Sequence, residues 1–213
     1  MKTKQSLPQP TPIAHEHSQR LLQSICNEID STGPMTFFRY MQLALYAPGL
    51  GYYSAGAHKF GASGDFVTAP ELTPLYGQAL ARQCSQVLAT VNQPQILELG
   101  AGSGALALSI LQTLQQQDAL PEKYLILEVS ADCRNRQQQL FAQQAPELLP
   151  IVTWLDQLPT QPIEGMIIAN EVLDAMPVHK FQLAETLQEY CVSHEQQQLR
   201  WHLAPCNNAQ LDK

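Results

Sequence analysis

The run Gln95-Ile96-Leu97-Glu98-Leu99 leads directly into Gly100-Ala101-Gly102-Ser103-Gly104, and a helical pattern of apolar residues opens at Ala105. A short apolar run, three alternating glycines and a helix start predict a buried strand, a tight turn and a helix N-terminus. Glycines lack a Cβ, so such a turn lets a nucleotide-like ligand approach the backbone. Glu98, two residues before the first glycine, is expected at the strand end, pointing at the same crevice. The pattern predicts a small-molecule cofactor site in an α/β fold.

The rest of the chain supports that class. Strand-like runs at Gln95–Leu99, Tyr124–Val129, Pro150–Trp154 and Gly165–Ala169 alternate with helical segments at about 103–117 and 131–145. Strand then helix, repeated, implies parallel pairing with right-handed crossovers. Leu187–Ser193 and Gln198–Leu203 read as a hairpin. Upstream, apolar spacing predicts helices over 15–30 and from Phe37 to Leu45, and the longest clean helix over Glu71–Val91. Residues 1–13, with prolines at 8, 10 and 12, read as a flexible tail. The expected division is therefore a tail over 1–13, an N-terminal helical and glycine-rich lid region over 14–92, and a Rossmann-like domain over 93–213.

Composition excludes several classes. A net charge of −7 argues against a general nucleic-acid binder. No apolar run approaches the roughly 20 residues of a membrane-spanning helix, and the N-terminus lacks the apolar core of a secretory signal. The five cysteines are scattered, without zinc-like spacing, which fits reduced thiols and a cytoplasmic chain. No metal is expected, and the lone histidines His58 and His179 have no ligand partners at suitable spacing.

Two cofactor classes compete for the turn. Gly100, Gly102 and Ala105 fit the Gly-x-Gly-x-x-Ala fingerprint of NAD- or FAD-dependent oxidoreductases. Gly-x-Gly-x-Gly preceded by Glu98 fits S-adenosyl-L-methionine better. A carboxylate aimed at the turn would repel a pyrophosphate, whereas S-adenosylmethionine has no phosphate and carries an ammonium and a sulfonium. Glu128 closes the second strand, 24 residues beyond Gly104, where an acid can accept ribose hydroxyls. Trp154 and Asp156 end the third strand, where an aromatic and an acid could flank an adenine, although Trp154 equally suits a core.

A second polar cluster, Asn170-Glu171-Val172-Leu173-Asp174-Ala175-Met176-Pro177, follows the fourth strand. In an open α/β sheet this position faces the crevice beyond the strand ends. Asn170, Glu171 and Asp174 offer acceptors suited to a cationic acceptor such as a guanidinium, and Asn170 with Glu171 also suits the start of a helix. Before the long helix, Gly64-Asp65-Phe66-Val67-Thr68-Ala69-Pro70-Glu71 follows a loop with five glycines between 49 and 64. We read it as a lid, with Asp65 and Glu71 within reach of cofactor or substrate.

Taken in order, Gly33-Pro34-Met35-Thr36-Phe37, Ala44-Leu45-Tyr46, Gly51-Tyr52-Tyr53, Gly64 to Glu71, Glu98 to Gly104 and Asn170 to Pro177 resemble the MidA family. These are mitochondrial complex I assembly factors and their bacterial relatives, class I S-adenosylmethionine-dependent methyltransferases. The resemblance runs from about residue 20 to 203. It implies protein arginine methylation of a complex I type subunit, in the cytoplasm for a bacterial chain and in mitochondria for a eukaryotic one. Family members run well past 300 residues and carry a later Asp-Tyr-Gly motif that this sequence lacks. The expectation is a C-terminally truncated chain with an incomplete sheet, whose open edge favours homo-oligomers. It leaves a third reading, a non-catalytic assembly protein.

Overall fold

The computed structural model describes residues 10–54 and 68–207. In chain order the elements are α1 (Pro12–Thr32), β1 (Met35–Thr36), α2 (Phe37–Tyr46), α3 (Ala69–Leu72), α4 (Pro74–Leu88), β2 (Gln95–Leu99), α5 (Ala105–Gln116), β3 (Lys123–Leu127), α6 (Ala131–Gln144), β4 (Val152–Leu155), β5 (Gly165–Ala169), β6 (Phe181–Leu183), β7 (Leu187–Glu195) and β8 (Gln198–Pro205). They fall into two compact units, Met1–Ala55 with Met176–Lys213, and Gly56–Ala175.

The boundary expected at 92/93 therefore lies inside the second unit, and the end of the chain belongs with its beginning. The reason is strand pairing between distant segments. β1 pairs antiparallel with β7 through Met35↔Val192 and Thr36↔Cys191, β6 pairs with β7 at Phe181↔Glu189, and β8 closes the expected hairpin. Ile25, Ile29, Met35 and Val192 form the core of this unit, with Leu21, Phe37, Tyr40, Leu43 and Leu199 packed against them. A two-residue strand carries no periodicity, so this pairing is invisible in the sequence. Helix α1 begins inside the segment read as a tail. Thr11 caps α1 by accepting from Ala14 N at 3.2 Å, and Pro12 occupies the first helical position, where its missing N–H costs nothing.

The second unit is built on a four-stranded sheet in the order β4-β3-β2-β5. Every pair is parallel: Ile96 lies opposite Tyr124 and Met166, Glu98 opposite Ile126 and Ile168, and Ile126 opposite Trp154. Residues in register share a face, because side chains alternate along each strand. That face meets α4, α5 and α6 in one cluster around Ala81, Cys84, Ile110, Leu114, Tyr124, Ile126 and Phe141. From β2 the chain steps outward to β3 and β4, then returns to β5 on the opposite side of β2. The sheet thus has a topological switch point between β2 and β5.

The long helix over 71–91 is interrupted. Thr73 has an extended backbone (φ −162°, ψ 139°) and separates α3 from α4. Pro74 excludes the helical conformation at the preceding residue, and Thr73 then caps the new helix by accepting from Leu75 N at 3.3 Å. Leu72 and Leu75, on either side of this break, are exposed.

Gly77 sets how closely α4 approaches α5. A Cβ there would stand 2.5 Å from Ser109 Oγ and 2.6 Å from Ser109 Cβ. Gly77→Ala gains helix propensity of about 1 kcal/mol, yet overpacking costs about 1–3 kcal/mol. We expect the variant's urea midpoint to fall, and Ser109→Gly in the same chain to recover most of the loss. A midpoint that rises in Gly77→Ala would show the helices free to part.

Candidate cofactor site

The glycine turn joins β2 to α5 at the switch point, where open α/β sheets receive their ligands. Gly100, Gly102 and Gly104 all have positive φ, at 63°, 57° and 86°. Each is a left-handed residue that a side chain would strain. The alternation in the sequence thus records three backbone requirements in one turn. A Cβ on Gly100 would also meet Val172 at 3.3 Å, and one on Gly104 would meet Gln137 at 3.2 Å and Leu140 at 3.3 Å. Val172 belongs to the loop after β5, so the second polar cluster lies against the turn.

Glu128, just beyond β3, is 8% exposed. Its carboxylate accepts from Gly102 N at 3.3 Å, Ser130 N at 2.9 Å and Gln137 Nε2 at 3.1 Å. Burial pushes its pKa up, against the pull of those donors and of the Arg134 charge. A carboxylate offers about four acceptor positions, so one hydroxyl can bind without displacing a protein donor.

Glu98 is not where the sequence reading put it. It is 2% exposed and accepts from the Tyr124 hydroxyl at 2.7 Å. Alternation explains this: Glu98 shares a face with Ile96, and helices cover that face. Desolvation raises its pKa to about 7; the Tyr124 hydrogen bond opposes the shift and the nearby Glu128 charge adds to it.

The end of the third strand is held by a set of polar contacts. Asp156 pairs with Arg134 Nη1 at 2.8 Å while remaining 89% exposed. Arg134 also donates to Leu155 O at 2.7 Å and Glu128 O at 3.3 Å, tying the ends of β3 and β4 together. Trp154 sits edge-on to Phe141 and donates to Gln137 Oε1 at 2.8 Å, so its indole serves the packed layer.

Beyond β5, Asn170 Oδ1 accepts from the Tyr76 hydroxyl at 2.8 Å, which anchors the loop to α4. No helix follows that Asn170 could cap; Leu173–Ala175 forms one short 3-10 turn. Glu171 has φ 51° and, like Asp174, is exposed. Glu71 reaches the turn as a hydrogen-bond acceptor from the Ser103 hydroxyl. Asp65 lies outside the described residues, as does most of the expected lid.

Gln137, Tyr76 and Arg134 were not singled out by sequence. Gln137 carried a signal nonetheless: it stands midway between Cys133 and Phe141 on the buried stripe of α6, where a polar residue needs a reason. A groove of about 340 Å³ runs between α3, α4, α5 and α6. It touches Glu71 and Ala105 but not Glu128 or the three glycines of the turn, so it is separate from the strand-end site. Among the described residues no cluster of His, Cys, Asp and Glu could hold a metal, and no helix is long and apolar enough to cross a membrane.

Comparison with known proteins gives this geometry a family. Residues 79–213 match a family model of S-adenosyl-L-methionine-dependent methyltransferases. The chain is 32% identical to the mitochondrial protein arginine methyltransferase NDUFAF7 of Mus musculus, over 87% of this chain and 49% of the relative. It is 28% identical to the homologue in Caenorhabditis elegans, over 84% and 47%. A crystal structure of a COG1565 superfamily member from Burkholderia thailandensis, bound to S-adenosyl-homocysteine, superposes with a TM-score of 0.86 at 42% identity, covering 97% of this chain and 55% of that one. The chain spans about half the length of the curated relatives it matches. The resemblance read from the ordered motifs is borne out: the chain belongs to the MidA-like family of class I S-adenosyl-L-methionine-dependent methyltransferases.

Proposed function

We propose that this chain binds S-adenosyl-L-methionine at the turn between β2 and α5 and takes part in methyl transfer to a protein. The observation that carries the reading is the trio of left-handed glycines, with the Glu128 carboxylate held against Gly102 at the end of the neighbouring strand. The cradle fits the cofactor: its glycines leave the backbone open, and Glu128 keeps an acceptor position for a ribose hydroxyl. When bound, the cofactor supplies an electrophilic methyl on a sulfonium.

This chain's residues would then hold and orient. Gly100, Gly102 and Gly104 admit the ligand to the backbone, Glu128 fixes the ribose, and Asp156 stays at the rim through its pair with Arg134. Buried Glu98 supports the strand that carries the turn. Asn170, Glu171, Asp174 and Asp65 are the acceptor-side residues of the proposal. Exposed carboxylates at 171 and 174, beside an Asn170 anchored by Tyr76, suit a cationic side chain. An arginine guanidinium fits that chemistry, and relatives named as protein arginine methyltransferases support it. A complex I type subunit is the proposed acceptor protein, with a mitochondrial or bacterial cytoplasmic setting to match. Positioning of the nucleophile is the main task such a loop performs.

Calorimetry of the chain with S-adenosylhomocysteine and with NADH tests the cofactor. We expect binding of the first and no heat with the second. Glu128→Gln should weaken S-adenosylhomocysteine by about tenfold or more, the scale of one charge-assisted hydrogen bond. Tight NADH binding would favour the oxidoreductase reading. Cofactor binding with no methyl transfer to a complex I type subunit would favour the non-catalytic assembly protein.

A further inference from the structure

Gln137 is the most constrained polar side chain at this site. It is 0% exposed in the middle of α6, a position where an amide is expensive to desolvate. Its Nε2 donates to Gly102 O at 2.9 Å and to Glu128 Oε2 at 3.1 Å, and its Oε1 accepts from Trp154 Nε1 at 2.8 Å. The amide orientation is fixed by its partners. The indole is a pure donor, while the carbonyl and carboxylate are pure acceptors, so a flipped amide would lose all three bonds. The side chain also supports the turn sterically, since Gln137 Cγ lies 3.2 Å from where a Cβ on Gly104 would stand.

Gly102 is gripped through both of its backbone polar groups. Its N–H reaches Glu128 Oε2 and its carbonyl receives Gln137 Nε2. Glu128, Gln137 and Gly102 form a closed three-membered network, and Trp154 holds it from the strand below. Such a network rigidifies when every member is satisfied.

We propose that Gln137 is a positioning residue for the cofactor's ribose. It holds the Glu128 carboxylate in one orientation, leaves one of its acceptor positions open, and pins the glycine turn opposite. The proposal rests on the reading of Glu128 as the ribose acceptor. Gln137 itself acts through Glu128 and Gly102.

The consequence is selectivity for an intact ribose, which a merely structural glutamine would not affect. The readout is the ratio of dissociation constants for 2′-deoxy-S-adenosylhomocysteine and S-adenosylhomocysteine, measured by calorimetry on the whole chain. Wild type should show a ratio of about tenfold or more, the scale of one hydrogen bond to a carboxylate. Glu128→Gln should bring it close to one. Gln137→Met fills the same space without donors and should lower the ratio toward that of Glu128→Gln. If Gln137→Met does not fold, Trp154→Phe decides. It keeps a ring against Phe141, removes the donor to Gln137 Oε1, and should lower the ratio at least threefold.

A ratio lost in Glu128→Gln but kept in a folded Gln137→Met overturns the proposal alone. Equal weakening of both ligands in Gln137→Met also overturns it, because that is a structural effect. An unchanged ratio in Trp154→Phe has the same meaning where Gln137→Met is unfolded. A ratio unchanged in Glu128→Gln, or no binding by wild type, removes the reading of Glu128 and this proposal together.

Discussion

Gly165→Ala is expected to abolish the stable fold of the sheet-bearing unit. Gly165 opens β5 with φ 146°, a conformation that L side chains rarely adopt, and a Cβ there would lie 2.0 Å from Gln95 O. The contact is with backbone, so no rotamer change relieves it. Gln95 also donates its N–H to Glu164 O at 2.9 Å, and Gln95 pairs in register with Gly165. Relief therefore means moving the start of β5 away from β2. The cost of the strained dihedral is about 1–3 kcal/mol, and displacing the strand start raises the loss above about 4 kcal/mol. Domains of ordinary stability hold about 5–15 kcal/mol in total. The measurement is urea unfolding by circular dichroism, with insoluble or partly unfolded protein as the expected result. A soluble variant with the wild-type midpoint would show that β5 can pair with β2 without this close approach.

The second large effect is a pH dependence written into Glu98. Its carboxyl is desolvated on the helix-covered face of the sheet, and its pKa rises from 4.5 to about 7. The folded protein thus binds this proton more tightly than the unfolded chain does. The sign follows: the stabilisation is complete below about pH 4.5 and is lost as pH rises through about 7. A rise to about 7 corresponds to about 3 kcal/mol. For a chain of this length that is on the order of 6–12 °C in midpoint. Wild type should melt progressively lower between pH 5 and pH 8. Glu98→Gln cannot titrate, so its melting curve should lose most of that slope. The slope is the readout, because the new amide also needs a partner and shifts the absolute midpoint. Glu128, with a pKa raised by burial, contributes in the same direction in both proteins, so a residual slope remains in Glu98→Gln. Parallel wild-type and Glu98→Gln slopes would show that Glu98 is ionised or solvated across this range.

Both effects arise where local patterns meet distant segments. The glycine turn was legible because its requirements are local. Positive φ at Gly100, Gly102 and Gly104 is a backbone property, and glycine is its usual signature. The parallel strands were legible for a similar reason: short apolar runs separated by helical patterns leave few topologies open. Glu128 was legible by its distance from the turn, since a crossover brings the next strand end beside the first.

Glu98 was misplaced by the same local reasoning. Its nearness in sequence to the turn suggested the crevice, but alternation along β2 assigns it to the face of Ile96, and the helices determine that this face is dry. Thr73 broke a helix that apolar spacing alone would have run to Val91, because Pro74 constrains its neighbour more strongly than periodicity does. Gln137 carried a weak signal on the stripe of α6; its partners came from the glycine turn, the end of β3 and β4.

The sequence by itself determined the strand–turn–helix of the candidate site, the α/β class and the family, because backbone conformation and side-chain period are properties of neighbouring residues. The tertiary structure alone decided that the hairpin at 187–205 belongs with β1 and the N-terminal helices, that Glu98 is buried against Tyr124, and that Gln137 joins Glu128 to the turn. Those outcomes depend on contacts between residues far apart in the chain. Burial and hydrogen-bond partners are set by whatever the fold brings near, and no local pattern encodes them.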